Sequence, residues 1–97
     1  MHFELKGVHY HVSENTTEYI EKKMQRLDSV KDKLETLHFT ITKEKNMFKV
    51  EANFHFKWGS PSHIRVESHE LWPGIDLLFD KLIVKVKKEK EKIIEHH

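Results

Sequence analysis

The chain has 97 residues, a formal net charge of +1 and a hydrophobic content of 37%, enough for one domain, residues 1–97, around one core, and too little for a second. It contains no cysteine, which excludes disulfides, thiolate metal ligands and a Cys nucleophile and fits a reducing, cytoplasmic setting. "MHFELKGVHYH" has no cationic lead followed by an apolar block, and the longest aliphatic run, "LIV" at 82 to 84, is far too short for a bilayer, so neither a signal peptide nor a membrane partner is expected.

Phe3 and Leu5 alternate with His2, Glu4 and Lys6 up to Gly7, which predicts a short strand. Val12 and Ser13 then open a helix, with Ser13 as N-cap and Glu14 and Glu18 suited to the positive helix end. Thr16, Ile20, Met24 and Leu27 recur at helical spacing and define its buried stripe.

A second strand alternates Leu37, Phe39 and Ile41 with His38, Thr40 and Thr42, and "KEKN" at 43 to 46 turns the chain. Beyond it Phe48, Val50, Ala52, Phe54, Phe56 and Trp58 form a long inward set, and after "GSPS" at 59 to 62 Ile64 and Val66 continue that set in a fourth strand. Such strict alternation means one packed face and one wet face. From Leu71 the period becomes helical again through Ile75, Leu78, Phe79, Leu82 and Val86, with Pro73 tolerated in the first turn and Gly74 costing about 1 kcal/mol relative to Ala. The expected fold is α+β, a two-layer sandwich ordered β-α-β-β-β-α, with a four-stranded mixed sheet and both helices on one face.

Charge is sorted by face on both helices. Lys81, Lys85, Lys88 and Lys92 recur at steps of four, three and four and form one row beside the core stripe of the second helix. On the first helix Lys22 and Arg26 line up on the solvent side with Lys23 between them and the core. Lysines near a helix C-terminus also serve solubility and the helix dipole. If the two rows share one edge of the helical layer, they would attract a polyanion through Coulomb force and counterion release.

With this order and these faces, the chain resembles the ribosome hibernation promoting factor family, also called ribosome-associated inhibitors or sigma modulation proteins, in its short form. The likeness rests on Gly7 followed by "VS" at 12 to 13, on "EYIEKKMQRL" at 18 to 27, on "KVEANFHF" at 49 to 56 and on "ELWPGIDLLFDKL" at 70 to 82. It implies the same fold. It also implies binding to the small ribosomal subunit and its rRNA between head and body, in the mRNA and tRNA channel, silencing translation under stress or in stationary phase. Lys22, Lys23, Arg26, Lys81 and Lys88 stand at matching basic positions, and Tyr19 matches a family tyrosine. Thr17 and Val84 stand where the family commonly has Arg, Lys85 where it has Gln, and Pro73 with Gly74 replace an Ala pair.

The expected mechanism is non-catalytic occlusion, with no cofactor and no small-molecule substrate. If five or six phosphates are neutralised, log affinity falls against log salt with a slope of about −4 to −5. Two other readings stand beside it: an RNA-binding module acting off the ribosome, and a protein-interaction or weak self-association edge built on Ile83, Val84 and Ile94. Nine histidines invite a metal reading. His2, His38, His55 and His63 all point to the open sheet face, but cross-strand counting does not bring the four together and no metal site is expected. "HE" at 69 to 70 fails as a zinc-protease motif because Pro73 stands where the second His belongs. No Gly-rich phosphate loop and no nucleophile elbow appears, and His96 and His97 are assigned no function.

Overall fold

The computed structural model describes residues 1–59 and 61–95, with side chains up to Lys92. Its elements are β1 (His2–Val8), α1 (Glu14–Met24), β2 (Leu34–Glu44), β3 (Met47–Phe56), β4 (Pro61–Ser68) and α2 (Leu71–Glu95). The sheet order is β1-β2-β3-β4: β1 and β2 run parallel, and the two hairpins add β3 and β4 antiparallel. This is the α+β arrangement that the two periodicities predict.

Local chemistry accounts for the boundaries. The Ser13 hydroxyl accepts from the Thr16 backbone N–H at 3.1 Å, capping α1. Thr16 is buried, and its hydroxyl hydrogen-bonds with those of Tyr10 at 2.9 Å and Ser13 at 3.0 Å, so the polar group leaves water with partners. β1 runs through Gly7 rather than stopping there, because Gly7 pairs with Ile41 in the parallel ladder. A Cβ at this position would collide with the Tyr10 carbonyl, where the chain folds back after the strand. Gly74 is a packing residue as well: its Cα approaches the sheet so closely that a Cβ would lie 3.1 Å from that of Ser68.

The core joins the inner sheet face to both helices. Leu37, Phe39, Ile41, Val50, Ala52, Phe54, Phe56 and Val66 come from the strands; Ile20 and Leu27 come from α1 and the 3-10 turn that follows it; Ile75, Leu78, Phe79, Leu82 and Val86 come from α2. Val30, in the segment between α1 and β2, and Leu34, the first residue of β2, are also enclosed. Trp58 departs from its expected inward place. β3 ends at Phe56, and Trp58 lies in the following turn, 38% exposed, with its ring stacked on Phe56 at 4.8 Å. Ile83 likewise departs from the expected exposed edge. It packs half-buried against the core, because α1 covers that flank of α2, which a helical wheel drawn for α2 alone leaves open. The Ile94 side chain and His96 and His97 lie outside the described residues.

Candidate nucleic-acid interface

The seven predicted cations divide between two flanks of α2. One flank faces α1. There the Arg26 guanidinium donates to Asp80 at 2.8 Å, and Lys23 lies 3.2 Å from Asp76 and 5.3 Å from the centre of the Tyr19 ring. The Tyr19 hydroxyl donates to the same Asp76 carboxylate, and Trp72 packs on the Tyr19 ring at 4.2 Å. The Tyr19 hydrogen bond, assisted by Lys23, holds the Asp76 carboxyl below its usual value despite partial burial. Burial, with Asp76 second, pushes the Tyr19 phenol up to about 12. Lys22 points outward beside this cluster, with no carboxylate within 4 Å among the described residues.

The other flank faces edge strand β4. Lys81, Val84, Lys85 and Lys88 of α2, with Asp80, line a shallow groove of about 470 Å³ whose far wall is His63, Ile64 and Arg65 of β4. Lys85 and Lys92 converge on Glu89 at 3.3 and 3.4 Å. Partial burial pushes the Glu89 carboxyl up, but the hydrogen bonds and charges of Lys85 and Lys92 outweigh it and hold it below the ordinary glutamate value. Lys81 and Lys88 have no carboxylate within 4 Å among the described residues, and the same is true of Arg65.

The two rows therefore do not merge along one edge. Lys22, Lys23 and Arg26 stand on the α1 side, and Lys81, Lys85 and Lys88 stand on the β4 side. The exposed outer side of α2, with Leu77 at 44% and Val84 at 52% exposure, lies between them, and the two sets adjoin at Asp80, which accepts from Arg26 and also lines the β4-side groove. Three carboxylates, Asp76, Asp80 and Glu89, sit within the set of seven cations, so the surface is cationic but partly compensated. Sequence reasoning missed Arg65, because strand alternation sends it to the open sheet face while the edge position of β4 lets it also line the groove. It missed the Asp76 and Asp80 pairings because they depend on how far α2 is shifted along α1. Nothing in either helix alone carries that information.

The arrangement can hold phosphates by point charge on both sides of α2, with planar forks at Arg26 and Arg65. A family model described as "Sigma 54 modulation protein / S30EA ribosomal protein" matches residues 3–94. A protein of Azotobacter vinelandii named ribosome hibernation promoting factor is 33% identical over 98% of this chain and 88% of its own length. The Escherichia coli (strain K12) protein of the same name is 25% identical over 99% of this chain and all of its own length. Among solved structures, a ribosomal subunit interface protein from Coxiella burnetii superposes with a TM-score of 0.86 at 28% identity, over 94% of this chain and 99% of that one.

Proposed function

The chain belongs to the Sigma 54 modulation protein / S30EA ribosomal protein family, and from that membership we propose that it is a ribosome hibernation factor that binds the small ribosomal subunit and silences translation by occupying the mRNA and tRNA channel. The single domain does this without catalysis, in the cytoplasm. The Lys22, Lys23 and Arg26 cluster and the Lys81, Lys85, Lys88 and Lys92 row contact rRNA phosphates on either side of α2. A-form RNA offers side chains few readable base edges, so selection of the site rests on shape and on the spacing of charge across that helix.

The observation that carries this reading is the excess of cations over carboxylates on both flanks, with Lys22, Lys81 and Lys88 free of carboxylate partners among the described residues. Seven cations less three compensating carboxylates leave about four phosphates to be neutralised, which puts the expected salt slope at about −3 to −4.

Co-sedimentation with separated subunits tests the reading. Replacing Lys22, Arg26, Lys81 and Lys88 with Glu is expected to remove the protein from the small-subunit fraction. Because Glu at position 26 would face Asp80 across the helix pair, a second variant with Gln at all four positions separates lost contact from misfolding. Undiminished sedimentation of both variants contradicts the site. Preference for free duplex RNA over ribosomes would instead favour an RNA-binding module acting off the ribosome.

A further inference from the structure

On the open face of the sheet, opposite both helices, the parallel register of β1 and β2 sets Glu4 directly beside His38, and the period of two places His2 on the same face, next to Glu4. His2 Nε2 lies 3.1 Å from Glu4 Oε1, and His38 Nε2 lies 3.6 Å from Glu4 Oε2. The two imidazole rings meet edge to face at 5.9 Å, and the three donor atoms all fall within 4.8 Å of one another. We propose that His2, Glu4 and His38 form a binding site for a first-row divalent cation such as zinc, which clasps edge strand β1 to β2.

Three properties of the cluster support this. Two imidazoles and one carboxylate are a donor set that zinc accepts with a fourth position open, and each imidazole already faces one oxygen of the Glu4 carboxylate, at 3.1 and 3.6 Å, near the about 3.3 Å that separates donors around tetrahedral zinc. Side-chain rotation is enough to bring both nitrogens and the carboxylate to one cation, since the donors already lie within 4.8 Å of one another and both histidine side chains are exposed enough to turn, at 65% and 44%. The His38 Nε2 atom is covered yet has no hydrogen-bond partner, a state that a bound cation would satisfy. Finally, the donors stand on paired strands, where the ladder holds their Cα positions. His55 and His63 share this face but are engaged elsewhere, with Thr36 and Glu51. Counting from the hairpins misses the cluster because no hairpin sets the register of a parallel pair.

Zinc chloride titrated into the full chain carrying His96→Ala and His97→Ala tests the site, with amide and imidazole NMR signals and thermal unfolding as readouts. The expected result is saturable binding of one zinc per chain, with shifts at His2, Glu4 and His38. The unfolding midpoint should rise with zinc concentration, as linkage requires. Glu4→Gln and His38→Gln should each weaken binding at least about tenfold, while His55→Ala, His63→Ala and the pair His9→Ala with His11→Ala leave it unaltered. The amide spectrum of each variant without zinc reports its folding independently. Unaltered affinity in either Glu4→Gln or His38→Gln overturns the three-donor site, as does the absence of saturable binding up to about 1 mM zinc.

Discussion

The two flanks of α2 carry the same residue types at similar spacing, but their cations differ in what holds them. On the α1 side, Lys23 and Arg26 are bound to Asp76 and Asp80 of the opposite helix, so these cations join the helices before they can meet any phosphate. On the β4 side, Lys85 and Lys92 share a single Glu89, and Lys81, Lys88 and Arg65 have no carboxylate within reach among the described residues. A basic residue on a helix is therefore a weak guide to where a polyanion docks unless the neighbouring helix is known. Partly exposed pairs of this kind contribute only about 0–1 kcal/mol each. The α1-side cations remain available to phosphate, at the cost of exchanging one anion for another.

The largest effect should come from the core on which both flanks depend. Phe79 is fully buried and meets Phe39 edge to face at 5.2 Å, so Phe79→Ala is expected to cost about 3–5 kcal/mol in chemical unfolding and to weaken both flanks together. Next comes a test that separates them. Lys81→Ala with Lys88→Ala should flatten the salt slope of ribosome binding by about 2, since each lost phosphate contact removes about one unit, whereas Lys23→Ala should flatten it by less than one. Equal effects per residue on the two flanks would erase the distinction.

A third variant strengthens the weaker flank. Asp80→Asn releases Arg26 and should tighten ribosome binding at low salt while changing stability by no more than about 1 kcal/mol. The smallest effect is spectroscopic. The Tyr19 phenol, held near 12, should titrate lower in Asp76→Ala, though still above its free value because burial persists. Because its folded value is raised, the stability that it contributes is complete below about pH 10 and is lost as pH rises toward 12. The Asp76 contribution has the opposite sign: its folded value is lowered, so its stabilisation is present at neutral pH and lost as pH falls through that value in acid.

How much of this was legible depended on whether a feature was local. Alternation in β2 and β3 and the helical period of α2 identified the layers and nearly all of the core, because burial imposes those periods directly. Trp58 was misplaced because alternation continues in the letters after the ladder has ended. Val30 shows no period because it lies between two short 3-10 turns, and Leu34 falls out of the alternation of β2 because the register shifts between Leu34 and Thr36. The partners of Lys23 and Arg26, the burial of Ile83 and the meeting of His2 with His38 all depend on the offset between elements distant in sequence, and composition along one element does not encode that offset.

The most direct test of the central claim is sedimentation of the intact chain with separated ribosomal subunits over a salt series. The account predicts recovery with the small subunit at low salt and a log–log slope of about −3 to −4. Recovery with the large subunit alone, or a slope near zero, would contradict it.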